Sequence, residues 1–335
     1  MTTRRAFHHL SLSTALGSGL SSLGLSAHAQ TAGQQAAPAQ AKIVVGFPAG
    51  GTTDTLARRV AEKLTGGYAA NVTVENKLGG AGQTAVVAVK EAPTDGSVLL
   101  LTPSSILSVF PFTYPKLPYT LADITPVSEA CVLNHGFAVG PAVPANVKSL
   151  ADFITWAKAN PTKATYGSPA AGSMPHLVGA LFEKFANIDL KHIPYKGSAP
   201  GIQDLLAGNL AAMSSPLGDS IAHVKAGKLR LLAVSGKVRS PFAPDVPTYR
   251  EQGFPLTMRE WYGFFLPGGT DPAVVRRAAA YLQPALMQPD MVKRMAEFGM
   301  EVQASPPEQL AALLKADAEE WRRLIKQIGF TAESN

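Results

Sequence analysis

Short apolar runs that end in a turn of small residues and pass straight into an amphipathic helix recur along this 335-residue chain. A chain built from that unit folds as an α/β protein, because a strand apolar on both faces needs cover on both, and the helices supply it. In the first copy Ile43, Val44, Val45 and Phe47 form the strand, and Leu56, Val60 and Leu64 recur at a spacing of four. Gly50 and Gly51 lie between them, Thr52 or Thr53 is placed to cap the helix, and Asp54 falls in its first turn. The first amides of such a helix have no partner within it and carry about half a positive charge, so a carboxylate or phosphate is at home above the turn.

Further copies follow. A strand is expected over 72–75, with Gly79-Gly80-Ala81-Gly82 turning into a helix over 84–92, and another over 98–101 that ends at Thr102-Pro103-Ser104-Ser105. Together these predict a parallel, doubly wound domain. Residues 110–126, rich in proline and aromatics, read as an irregular crossing, and 131–139 as a strand leading into a second set. There Ser149 caps a helix to 159, 164–166 is a strand, and 167–173 turns into a helix over 175–185. The strand over 192–195 then leads through 196–200 into a helix that closes at Gly208. Residues 229–234 read as a strand returning to the first unit, followed by a proline-rich surface connection. Ligands of open α/β sheets bind beyond the carboxyl ends of the strands. Two such domains joined by a chain that passes out and back therefore face each other across a cleft that closes by a hinge.

The N-terminus reads as an export signal. Arg4-Arg5 precede Phe7, residues 10–25 are weakly apolar, and Ala27-His28-Ala29 offers a small-x-small cleavage site. The paired arginines point to the twin-arginine route, although a Sec-type signal has the same layout. Cleavage after Ala29 leaves a leader over 30–41 with no pattern to bury. No other stretch holds the roughly eighteen apolar residues of a membrane span. Without Arg4 and Arg5 the chain has 28 basic and 24 acidic residues, a net +4 with no long basic block, so nucleic acid is not an expected partner.

Catalytic and cofactor signatures are missing. Cys131 is alone in an apolar setting, and His135, His176, His192 and His223 show no metal-ligand spacing. Gly80-x-Gly82-x-x-Ala85 has the outline of a dinucleotide turn, yet no acidic residue ends the next strand to hold a ribose. There is no P-loop and no Gly-x-Ser-x-Gly elbow. Ser168 and Ser173 would be nucleophiles only beside a base the sequence does not show; as helix-start residues they read as caps. No cofactor and no metal are expected.

The blocks FPAGGTTDTLAR, VENKLGGAGQTA, YGSPAAGSMPHL, YKGSAPGIQDLLAGN, AGKLRLLAV and WYGFFLPGGTDPAVV stand in the order found in Bug-type receptors, the periplasmic substrate-binding proteins of tripartite tricarboxylate transporters. The chain resembles that family over roughly 42–330. The resemblance implies a periplasmic, two-lobed Venus-flytrap α/β fold, with residues 42–131 plus 233–330 as the first lobe and 132–232 as the second. It implies a monomer that is not an enzyme, that captures a small organic acid and passes it to a membrane permease; delivery to a sensor kinase is the alternative, and a secreted serine hydrolase the rival from another class. Carried onto this chain, Phe47, Gly50, Gly51, Thr52 and Asp54 form the first-lobe turn, with Thr102 and Ser104 beside it. Ser168, Ala171, Gly172, Ser173 and His176 grip the carboxylate, and Tyr195, Gly197, Pro216 and Asp219 complete the cleft. With no Arg or Lys in that grip, amides, hydroxyls and ordered water must hold the charge. The chain departs from the family where Gln83, Thr84 and Ala85 follow Gly82, which alters the floor of the pocket.

Overall fold

Strands and helices alternate through residues 38–332, the part of the chain that the computed structural model describes. The export signal and most of the leader lie outside the described residues. The chain begins β1 (Gln40–Val45), α1 (Thr52–Leu64), β2 (Asn71–Asn76), α2 (Gln83–Lys90), β3 (Val98–Pro103), α3 (Ser104–Ser108), α4 (Phe110–Thr113) and β4 (Ile124–Leu133). It continues β5 (His135–Val139), α5 (Leu150–Ala159), β6 (Thr165–Ser168), α6 (Met174–Ala186), β7 (Lys191–Pro194), α7 (Ser198–Ala207), β8 (Ala212–Pro216), α8 (Leu217–Lys225) and β9 (Arg230–Val234). It ends β10 (Glu260–Pro267), α9 (Pro272–Leu286), α10 (Pro289–Ala296), β11 (Met300–Val302) and α11 (Pro307–Ile328). One sheet has the order β11-β4-β10-β3-β1-β2 and the other β7-β6-β8-β5-β9, the two-lobed α/β architecture expected.

Side-chain alternation along the strands distributes the core. In β1, Ile43 and Val45 pack with Leu56, Val60 and Leu64 of α1 and Val274 and Leu282 of α9, whereas Val44 faces Val86 and Val89 of α2. The cluster on the α2 side runs without a break into the second lobe, where Phe137, Phe153, Phe182 and Tyr166 meet. α11 belongs to that cluster through Leu310, Leu314, Trp321 and Ile325 and packs on α3, α4 and β4 of the first lobe. Just beyond it, the ring of Phe330 sits edge-on to His176 of α6, with centroids 4.9 Å apart.

Five features differ from the sequence expectation. Both sheets are mixed rather than parallel: β10 is antiparallel to β3 and β4, and β5 to β8 and β9. The reason lies in the crossings. β4 leaves the first lobe where β10 re-enters it, and β5 enters the second where β9 leaves, so neighbours at the junction must run in opposite directions. Residues 131–139 are two strands in different sheets, divided at Asn134, and 230–234 pairs with β5 in the second sheet instead of returning to the first. The return is made between Ser235 and Glu260. The region expected to be irregular from 110 holds α4, a capped 3-10 turn at Leu121–Asp123 and the start of β4. Pro126 obscured that start; it sits at a register shift opposite Phe265, where a missing amide is tolerated. Finally β1 begins at Gln40, inside the expected leader.

The two crossings are stitched together. The amide of His135 donates to Ser235 Oγ and that of Ser235 to the His135 carbonyl, both at 2.9 Å. Ser235 Oγ in turn donates to the Met258 carbonyl at 2.6 Å.

Candidate functional site

Helix starts from both lobes converge on one cavity of about 510 Å³, counting the space at its mouth. The first lobe supplies Gly51, Thr52 and Thr53 at the head of α1, Ser105 in α3, and Glu260 and Tyr262 from β10. The second supplies Ser173 and Pro175 at α6, Ser198 and Ala199 at α7, and Pro216 and Asp219 at α8. Phe47, Pro48, Ile106 and Phe110 add apolar walls. The convergence follows from the fold, since parallel strands deliver their helices at the same edge and the two edges meet.

The head of α1 is capped from across the cleft. Gly51 occupies its N-cap and makes no side-chain bond, contrary to the expected threonine cap; the Thr52 amide donates instead to Asp219 Oδ1 at 3.0 Å. A carboxylate is the natural partner of a helix N-terminus, and this one arrives from α8 of the other lobe. The Thr52 hydroxyl is also 3.0 Å from that of Tyr262, and Ser198 bonds the same Asp219. Burial raises the Asp219 pKa to about 6 despite these donors. Glu260 has a parallel role at α3, accepting from the Ser105 hydroxyl and, at 3.3 Å, from its amide, and burial raises its pKa to about 7. His135 Nε2 is 3.5 Å from Glu260 Oε2, beyond good hydrogen-bond reach. Burial keeps that imidazole neutral, with a pKa of about 3, so the two are neighbours rather than an ion pair.

Ala81, on the cavity wall, holds a left-handed φ of 58° ahead of Gly82 at φ 97°. A Cβ at Gly82 would lie 2.6 Å from Ile106 Cδ1, so the turn needs glycine there but only tolerates alanine at 81. An Ala81→Gly protein is expected to gain about 0.5 to 1 kcal/mol in urea unfolding, left-handed strain outweighing the added chain entropy.

Of the residues named from sequence, Phe47, Gly51, Thr52, Ser173, Pro216 and Asp219 line the cavity. Ala171, Tyr195 and Gly197 line an adjoining depression behind Phe47, Pro48 and Pro169. The others are turned to the scaffold. Asp54 accepts from the Gly50 amide at 3.0 Å, Arg58 Nε at 2.9 Å and Asn76 Nδ2 at 2.9 Å. Burial pushes its pKa up, but these bonds outweigh it and hold the carboxyl below its usual value. Thr102 near the end of β3 and Ser104 at the start of α3 are buried without reaching the cavity wall. The Gly172 amide donates to His176 Nδ1 at 2.9 Å, and the His176 ring stacks on His192 at 3.6 Å. Ser105, Ser198 and Glu260 were not foreseen; the signal for Glu260 was an acid heading an otherwise apolar strand.

Ser168 does have a base beside it, since its hydroxyl is 2.8 Å from His192 Nε2. It is fully buried, and its hydroxyl also lies 3.0 Å from the Ala170 carbonyl, which competes for its single proton. Burial also lowers the His192 pKa to about 4. The arrangement is a packing motif without access to substrate. Among the described residues no cluster of three metal-ligating side chains occurs, and no helix is long and apolar enough to cross a membrane.

Residues 56–330 match the model of the tripartite tricarboxylate transporter family receptor. The chain belongs to that family. It is 31% identical to Protein BugT of Bordetella pertussis over 291 residues, covering 86% of this chain and 89% of that one. Among solved structures, the R. palustris protein Rpa4515 with adipate is similar at TM-score 0.82 and 30% identity, covering 87% of this chain and 98% of that one. The periplasmic binding protein BugD is similar at TM-score 0.81 and 29% identity, with 87% and 98% covered. The chain is thus a Bug-type receptor, a member of a family that binds solutes rather than converting them.

Proposed function

We propose that this chain is a periplasmic receptor that captures a small organic acid between its lobes and delivers it to the membrane permease of a tripartite tricarboxylate transporter. The observation that carries the reading is the convergence of helix N-termini from both lobes on one cavity without a single Lys, Arg or His in its wall. Preorganised amides and hydroxyls suit a carboxylate, and the adipate bound by a relative is of the same chemistry. In this reading Ser173 and the first amides of α6 and α7 hold the carboxylate, and Gly51 to Thr53 close over it. The lobes divide at Asn134 and between Ser235 and Glu260, and residues 1–29 export the chain.

A thermal-shift screen of mono-, di- and tricarboxylic acids tests this. An acid at about 100 times its Kd stabilises the native state by about 2.7 kcal/mol, a shift of several degrees. Ser173→Leu is expected to abolish that shift while leaving the ligand-free melting temperature within about 2 °C of the parent, as its hydroxyl bonds only the Ala170 carbonyl at 2.7 Å. No shift with any acid would end the proposal.

A further inference from the structure

The family resemblance puts His176 at the captured acid, yet this residue lines neither the cavity nor the depression beside it. It is 1% exposed. The turn over 169–173 supplies Pro169 and Ser173 to the cavity and Pro169, Ala170 and Ala171 to the depression. His176 is tied to that turn through Nδ1, which accepts from the buried Gly172 amide at 2.9 Å.

Gly172 is where the turn needs holding. Its φ of 71° is left-handed, and Ser173, the N-cap of α6, sends its hydroxyl back to the Ala170 carbonyl at 2.7 Å instead of capping the helix. Pro175, in the first turn of α6, has no N–H, so an anion at this helix depends on the aim of the few amides that remain.

Residues packed on the first lobe reach the same place. Tyr114, after α4, donates its hydroxyl to the Ala171 carbonyl at 2.7 Å, and Phe330, after α11, sets its ring edge-on to His176 with centroids 4.9 Å apart. The Ala332 amide donates to the Thr113 carbonyl at 3.0 Å, which ties the segment carrying Phe330 to α4. From within its own lobe His192 stacks on His176 at 3.6 Å, with the ring planes 8° apart. Burial, with His192 adding to it, lowers the His176 pKa to about 3, and only a neutral imidazole can keep Nδ1 as an acceptor.

We propose that His176 is a positioning residue of the carboxylate site: through the Gly172 amide it sets the aim of the α6 start, and closure of the lobes, by seating Phe330 against its ring, holds that aim while an acid is bound. The assignment rests on the carboxylate-capture reading and makes the grip depend on closure. Without the acceptor, the buried Gly172 amide must find another partner, and the turn moves with it.

His176→Asn and His176→Phe divide the side chain's two contributions. Asparagine places an oxygen where Nδ1 stands and loses the ring, whereas phenylalanine keeps a ring and loses the acceptor. Calorimetric titration with succinate, malate, adipate, citrate, aspartate and glutamate picks out the acid that the parent binds most tightly, and hydrogen–deuterium exchange follows the Gly172 amide without any acid present. For His176→Phe the expected result is about a tenfold or greater loss of affinity and about tenfold faster exchange at Gly172, while His176→Asn stays within about threefold of the parent in both. Phe330→Ala, which leaves the bond to Gly172 in place, is expected to weaken binding about threefold or more. A packing role alone lowers the melting temperature of both His176 variants and leaves affinity and Gly172 exchange at parental values, which overturns the assignment. So does an asparagine variant no better than phenylalanine, or a Phe330→Ala protein of full affinity. If His176→Phe does not fold, the other two variants carry the test by the same outcomes. Silence of the parent toward every acid removes the carboxylate-capture reading instead, and exchange at Gly172 then decides whether His176 holds the turn.

Discussion

A Gly218→Ala protein is expected to bind its acid at least about 100-fold more weakly than the parent while unfolding within about 1 kcal/mol of it in the absence of ligand. Gly218 lies in the first turn of α8, and its backbone rests on the turn between α10 and β11 of the other lobe. A Cβ there would overlap the Phe298 carbonyl oxygen, approach the carbonyl carbon to 2.6 Å and sit 3.1 Å from Thr52 Cγ2. The Phe298 turn cannot easily yield, because the Phe298 and Gly299 amides bond the Met295 and Ala296 carbonyls at 3.0 Å. The lobes must then part, which breaks the bond from the Thr52 amide to Asp219 and opens the cavity. Separated lobes relieve the overlap, so the free protein is little affected, whereas the ligand must work against it. Titration calorimetry gives the affinity, and small-angle X-ray scattering shows whether ligand still contracts the particle. Full affinity with full contraction would exclude this contact from the bound state.

Glu260→Gln is expected to raise the stability of the ligand-free protein by between about 1 and 3 kcal/mol at pH 8 and to change it little near pH 4. Burial lifts the folded pKa of Glu260 from 4.5 to about 7. The folded state therefore holds a proton that the unfolded state has released, and stability falls as pH rises from about 4.5 to about 7. Above that window the full penalty of a buried charge is present. Glutamine removes the charge but also weakens the bonds from Ser105, which sets the lower end of the expected gain. The buried imidazoles of His135 and His176, both depressed to about 3, act in the opposite sense and lose stability as pH falls below about 6.5. Urea unfolding of parent and variant at several pH values isolates Glu260 as the difference between the curves. A constant difference from pH 4 to pH 8 would show that Glu260 titrates alike in the folded and unfolded states, its pKa not raised by burial.

The starts of α1, α2, α5, α6 and α7 were legible in the sequence because each is marked locally, by an apolar run, small residues or a capping or proline residue within about ten positions, whereas that of α8 was not read. What those starts bond to was not. The partner of the Thr52 amide lies 167 residues away at Asp219, and that of Ser105 lies 155 away at Glu260. Asp54 looked like a ligand-facing acid from its place in the first turn, but Arg58 four residues on and Asn76 at the end of β2 draw it into the scaffold. The mixed character of the sheets escaped for a related reason. Nothing within β10 announces its direction, which depends on where the chain comes back from the second lobe.

In the proposed capture cycle the lobes swing like a door about the side-by-side crossings at Asn134 and Ser235, and Glu260 begins the strand that enters at the doorpost. A group on the axis of rotation hardly travels. Asp219, joined to the opposite leaf, is carried away from α1 when the door opens, whereas Glu260 keeps its place beside His135 and Ser105. In that cycle an arriving solute meets the same carboxylate before and after the swing, so charge is screened at first encounter and shape only at the latch.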